Sequence, residues 1–196
     1  MPPEISLDPA HTALLSMDMQ SAIVSMYAKD PQMMARAQLV MQHARDLEML
    51  IIHVQVGFRR GLPEISARNT LFNSIRTNED HRKLFEGPRG AIHASVAPEA
   101  EEIVVTKHRI SAFFGTDLEM ILRANEIDTL LIMGIATSGV VLATFMEAFD
   151  KDFRLVVLKD CCADTDTDLH SSLTEKMFPR LGASILAADF IRATNA

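Results

Sequence analysis

Six short, predominantly apolar runs recur along the chain, at residues 13–19, 50–56, 103–108, 129–135, 154–159 and 183–187. An alternating polar/apolar run marks a strand with one wet face, whereas a continuous one marks a strand buried on both faces of a parallel sheet. Helix-period stretches separate several of these runs. Pro31 opens a pattern in which Met33, Ala37, Val40, Ala44 and Leu47 recur at spacings of four and three. Thr116-Asp117-Leu118-Glu119 has capping-box form, and Leu118, Ile121 and Leu122 share one face. Residues 138–150 carry Leu142, Phe145, Met146 and Phe149 on one side, and Leu169, Leu173 and Met177 mark a further helix that stops near Pro179 and Gly182. The expectation is an α/β fold, a three-layer α/β/α sandwich with a six-stranded, mainly parallel sheet in the order 3-2-1-4-5-6.

At 196 residues this is expected to be a single domain spanning 1–196. A hydrophobic fraction of 48% with 23% charge is enough to bury a core without disulfide or metal staples. One segment resists the pattern. Residues 57–101 hold Pro63, Pro88, Pro98 and mixed charge, and read as a long loop or lid, or as an excursion with short helices of its own.

The net charge of −7 and the lack of a long basic run argue against nucleic acid as a partner. The two cysteines, Cys161 and Cys162, are adjacent and unsuited to pairing, which fits a reducing compartment. Met1-Pro2-Pro3-Glu4 has no basic head and no apolar stretch after it. No apolar run reaches the ~18–20 residues of a membrane span. A cytoplasmic location and no membrane association are therefore expected.

In an open parallel sheet, ligands bind beyond the carboxyl ends of the strands. The residues at those ends are Asp18, followed by Met19 and Gln20; Lys107, followed by His108 and Arg109; the small-residue turn that starts at Gly134; and Asp160. One carboxylate, one ammonium and one helix start are thus expected on the same edge.

These segments resemble the isochorismatase-like superfamily, also called the cysteine hydrolases, which includes nicotinamidases and N-carbamoyl amide hydrolases. The likeness lies in Leu-Leu-Ser-Met-Asp18-Met-Gln20, in Lys107-His-Arg-Ile-Ser-Ala-Phe-Phe-Gly-Thr-Asp-Leu and in Gly134-Ile-Ala-Thr-Ser-Gly-Val-Val, in that order over nearly the whole chain. The resemblance implies that an aspartate at Asp18 moves a proton and that Lys107 holds that aspartate. It also implies an oxyanion-binding turn over Ala136, Thr137, Ser138 and Gly139, a non-proline cis peptide between Ile135 and Ala136, and a nucleophilic cysteine at the position of Val140. Valine has no nucleophilic atom, so only its backbone could serve here. Isochorismatases proper lack the cysteine and hydrolyse a vinyl ether without a protein nucleophile, and that chemistry needs only the Asp/Lys pair.

The expected function is therefore hydrolysis of a small organic molecule by Asp18 and Lys107, without cofactor. Two alternatives stand beside it: a catalytically silent member that binds a small molecule or partner, and an amidase using Ser138. A serine near a helix start is more often a cap, and no histidine is placed beside it by sequence. Gln20, Phe58, Arg109 and Phe113 are the candidate substrate contacts, as neighbours of these motifs. Arg59, Arg60, Arg68, Arg76, Arg82 and Arg89 in the long segment suit an anionic ligand, although a solvated basic face is the better account of most of them. Nicotinamidase-like members bind metal through an Asp-x-His motif after the second strand. Here that stretch reads Gln55-Val-Gly-Phe58-Arg59-Arg60, so no metal is expected. His53, inside an apolar run, reads as a core histidine. The resemblance suggests a homo-oligomer, dimer or tetramer.

Overall fold

The structure is a computed structural model, and it describes residues 7–194; the first four residues, read above for a leader, lie outside that range. Six strands form one sheet in the order β3-β2-β1-β4-β5-β6, and every neighbouring pair is parallel. They are β1 (Thr12–Met17), β2 (Leu50–Val56), β3 (Ile103–Lys107), β4 (Thr129–Ile135), β5 (Arg154–Ala163) and β6 (Ala183–Ile185).

The continuous apolar runs have their explanation in the two cores. On β1, Ala13, Leu15 and Met17 point into one cluster with Phe145 and Leu118, while Leu14 points into the other with Met41 and Phe190. The first layer comes from α6 (Leu118–Ala124) and α7 (Leu142–Asp150). The second comes from α2 (Met33–Asp46) and α9 (Ala187–Ala193), joined by α1 (Ser21–Tyr27) through Val24. Every residue of β1 and β4 is buried. The last helix before β6, α8 (Thr167–Ser172), continues into a π turn at Leu173–Met177.

Three local expectations are corrected. β5 does not stop at Lys159 but runs on through Cys161 and Cys162 to Ala163, with a register shift opposite Ile132 and Gly134. Asp160 is therefore inside the strand, where its carboxylate accepts from the Ala187 amide at 2.8 Å and its carbonyl accepts from Arg36. The capping box at Thr116 is absent: Asp117 is the N-cap of α6, and the Thr116 hydroxyl donates to the Ala112 carbonyl at 2.6 Å instead. Ser138 is no helix cap either, because it sits within a π-type turn, Thr137–Val141, that precedes α7.

Segment 57–101 is ordered by its own helices, α3 (Thr70–Thr77), α4 (Glu79–Lys83) and α5 (Gly87–Gly90). Asn69 and Asn78 cap the first two, their side-chain oxygens accepting backbone N–H groups that a helix start leaves unpaired. Ile65, Phe72 and Ile75 form a third, small apolar cluster with Phe58, Leu62 and Phe85. The segment returns to the main body beside Gln20, which bridges to Ile92.

Candidate active site

β1 ends abruptly because Asp18 takes a left-handed conformation, φ 54°, with its N–H donating to the Val54 carbonyl at 2.8 Å. Asp is one of the few residues that enters that region at modest cost, and such strain is held by its surroundings. The bend aims the carboxylate along the carboxyl edge of the sheet. Two strands away, β3 ends at Lys107, whose ammonium lies 2.8 Å from Asp18 Oδ2 and donates to the Arg109 carbonyl at 3.0 Å. Lys107 is 1% exposed and Asp18 7%.

A buried ion pair of this kind is expensive to desolvate. For Asp18, burial dominates and pushes the carboxyl above its ordinary value, against the opposing charge and hydrogen bond of Lys107. The other carboxylate oxygen, Oδ1, is buried and has no hydrogen-bond partner among the described residues. Buried acceptors are usually satisfied, so an orphan beside a cavity marks a place where something else is to bind.

The cavity is there. It has a volume of about 190 Å³, and Asp18, Lys107, Ile135, Ala136, Gly139 and Val140 form its sheet side. The peptide between Ile135 and Ala136 is cis. Gly139 departs from helical geometry at φ −101°, ψ −107°. The Ser138 amide donates to Asp164 Oδ2 at 2.8 Å, and Thr137 Oγ1 lies 2.8 Å from His170 Nδ1. These two bonds tie the turn to β5's end and to α8. Burial pushes the Asp164 carboxyl up, but hydrogen bonds from Ser138 and its neighbours outweigh it and leave it below its ordinary value. Burial lowers His170, which favours the neutral imidazole.

Of the residues singled out in the sequence, Asp18, Lys107, Ala136, Gly139 and Val140 come together around this cavity. Thr137 and Ser138 lie behind it in the same turn. The four candidate substrate contacts do not line it. Gln20 is 1% exposed, with its amide group committed to backbone: it donates to the carbonyls of Val56 (3.0 Å) and Gly90 (2.6 Å) and accepts from the Val56 N–H (2.9 Å). Arg109 turns away to the carbonyls of His108 and Glu64. Phe113 stacks on Phe153 in the core. Phe58 lies behind the wall, edge-on to Phe72 and Phe85.

The opposite wall was not read from the sequence. It consists of Ile23 and Tyr27 from α1, Leu71, Phe72 and Ile75 from α3, with Phe85 and Ile110. The helical 3–4 spacing of Leu71, Phe72 and Ile75 is the one signal that could have found part of it. Tyr27 also borders a neighbouring cavity of about 290 Å³ that contains Cys162, Asp164 and His170. Both cysteines are buried and free, and burial pushes their thiols up, that of Cys162 to about 12. Among the described residues, no group of three or more His, Cys, Asp or Glu is arranged to hold a metal ion, and no helix is long and apolar enough to cross a membrane. His53 is fully buried, with Nε2 2.8 Å from Glu102.

Comparison with known proteins agrees with the fold. An isochorismatase family protein of Burkholderia thailandensis superposes with a TM-score of 0.82 at 24% identity, covering 97% of this chain and 98% of that one. An isochorismatase family protein of Bacillus subtilis is 29% identical over 191 residues, which is 95% of this chain and 96% of that protein. Maleamate amidohydrolase of Pseudomonas putida is 32% identical over 130 residues, 66% of this chain but only 59% of the relative's length. The family model described as the isochorismatase domain matches residues 12–189, and the chain belongs to that family.

Proposed function

We propose that the protein hydrolyses a small organic molecule, with Asp18 as the proton-transferring group, Lys107 as its electrostatic partner and no cysteine nucleophile. The reading rests on one observation: a buried Asp18–Lys107 pair at 2.8 Å that lines the cavity and leaves one buried carboxylate oxygen of Asp18 unpartnered among the described residues. A carboxyl raised by burial can hold a proton where an ordinary aspartate has lost it, which suits a general acid. For a vinyl ether, that proton goes to the terminal carbon and water adds to the resulting oxocarbenium carbon. The attacking water returns a proton to Asp18 as the hemiketal breaks down to an alcohol and a ketone. In the carbon–nitrogen bond class, where a tetrahedral oxyanion forms, backbone at Ala136 and Val140 is assigned to that developing negative charge.

Val140 occupies the position at which the resemblance puts the family's cysteine, and neither Cys161 nor Cys162 lines the Asp18 cavity. The relatives named as an amidohydrolase and an amidase, maleamate amidohydrolase of Pseudomonas putida and N-carbamoylsarcosine amidase of Arthrobacter, support a carbon–nitrogen bond as the other bond class to test. An amidase built on Ser138 has less support: Asp164 accepts from the Ser138 amide, and His170, the nearby imidazole, is engaged by Thr137. The catalytically silent alternative does not account for the buried ion pair, which a binding module has no reason to keep. We read residues 1–196 as one hydrolase domain with 57–101 as its lid, metal-free and homo-oligomeric.

The test is turnover on a panel of vinyl ethers, ureides and simple amides by the wild type and by Asp18→Asn. Turnover that disappears in the variant at unchanged melting temperature supports the reading. Full activity in Asp18→Asn removes that residue from the mechanism.

A further inference from the structure

Segment 57–101 lines a second and larger cavity of about 630 Å³, which shares Phe85 with the first. Four arginines line it, Arg59, Arg60, Arg76 and Arg82, against a single acid, Glu86. They arrive from three places: the loop after β2, the last turn of α3 and the last turn of α4. We propose that this cavity holds the anionic tail of the substrate, a carboxylate or phosphate group, while the reacting end occupies the Asp18–Lys107 cavity. The proposal deepens the hydrolase reading and rests on it.

Three observations carry it. Size comes first. The reaction cavity, at about 190 Å³, falls below the roughly 300–1,000 Å³ of ordinary ligand sites. A ligand of usual size must extend out of it, and Phe85 is a wall common to both cavities.

Charge is the second. The chain carries −7 overall, yet this rim is locally positive, and a concave wall of one sign concentrates the opposite charge. The arginines are also underused. Among the described residues, Arg60 and Arg76 make no ion pair or side-chain hydrogen bond, and Arg82 reaches Glu86 only at 3.9 Å. Arg59 is 3.9 Å from Glu64 and 3.1 Å from His108 Nε2. A guanidinium presents a planar fork of donors that matches a carboxylate or phosphate, so unpaired forks converging on one space suit an oxyacid.

The third is the floor. Phe58 and Phe85 meet edge to face at 5.5 Å and line the cavity beneath the arginines. An arginine at a helix C-terminus is favoured by the helix dipole and by water alone, which would account for Arg76 and Arg82 singly. It does not account for their convergence with Arg59 and Arg60 over a shared aromatic floor.

The test measures binding by calorimetry with three probes: adipamate, its neutral diamide adipamide, and phenyl phosphate. Adipamate or phenyl phosphate should bind the wild type about tenfold or more tightly than adipamide, with the advantage shrinking as salt is added. Whichever anion shows the advantage identifies the tail as carboxylate or phosphate. The advantage should vanish in Arg60→Gln/Arg76→Gln, whose exposed positions leave the fold intact. It should persist in Arg154→Gln/Arg180→Gln, which removes the same charge elsewhere.

No anion advantage in the wild type, an advantage that survives Arg60→Gln/Arg76→Gln, or one lost equally in the control overturns the proposal. The hydrolase reading fails separately. Arginine-dependent binding without turnover of any substrate on the panel sinks that reading alone, and turnover without any anion preference sinks only this one.

Discussion

Gly134 of β4 faces Met17 of β1 so closely that a Cβ on the glycine would lie 2.6 Å from the Met17 carbonyl oxygen and 2.9 Å from the Met17 Cβ. No side chain fits that gap without moving backbone. The two residues are paired in the sheet, one position before Asp18 and two before Ala136, so the approach sets the distance between the carboxylate and the turn opposite it. Gly134→Ala should therefore cost about 1–3 kcal/mol of stability by overpacking. It should also lower kcat more than tenfold by displacing Asp18, since small misplacements of reacting groups are costly. Denaturant melts together with kinetics check this, and unchanged kinetics in a destabilised variant would separate packing from positioning.

Lys107→Met should move the pH dependence of turnover upward. Lys107 opposes the upward push of burial on Asp18, so its removal raises the carboxyl further. If the protonated carboxyl is the acid, activity falls as pH rises through its pKa, and that falling limb should lie at higher pH in the variant. A pH–rate profile of both proteins decides the matter. A limb that stays in place shows that Asp18 is not the titrating group.

Gln20→Ala should destabilise the protein by about 2–4 kcal/mol. It strands the Val56 N–H and carbonyl, which lie in a buried strand and have the Gln20 amide as partner. It also releases the Gly90 carbonyl, one of the ties between β2 and the end of segment 57–101. Faster amide exchange over that segment, with β4 and β5 still protected, is the expected hydrogen-exchange pattern.

Acid stability should depend on Glu102. Burial pushes its carboxyl up, but hydrogen bonds from Arg45, the Glu99 amide and His53 overcome that and bring it from 4.5 to about 2. The unfolded chain then takes up a proton before the native one does. This contribution is complete above pH 4.5 and is lost as pH falls toward 2, a change of about 2–3 kcal/mol. In Glu102→Gln the melting temperature should fall less steeply across that window.

The sheet was legible because strands buried on both faces are mostly apolar rather than alternating, and β2 and β4 match their runs residue for residue. Asp18 and Lys107 were legible because strand ends in a parallel sheet have a known destination. What escaped depends on direction rather than position. Gln20, Arg109 and Phe113 follow the reacting segments in sequence, but the bend at Asp18 and the loop after β3 turn their side chains into backbone contacts or core. β5 read four residues short because Asp160, a charged residue, interrupts its apolar run while its carboxylate is satisfied by the start of α9. The far wall of the cavity comes largely from α1 and α3, short helices far apart in sequence whose apolar faces become a wall only once segment 57–101 packs beside Gln20.

Tyr27, between the reaction cavity and its neighbour, is the chain's only tyrosine, and there is no tryptophan. Excited at wavelengths that phenylalanine does not absorb, the intrinsic ultraviolet fluorescence of this protein therefore originates at a single wall shared by two compartments. A ligand entering either of them alters the light emitted by one known ring, so occupancy can be followed without a label and without turnover.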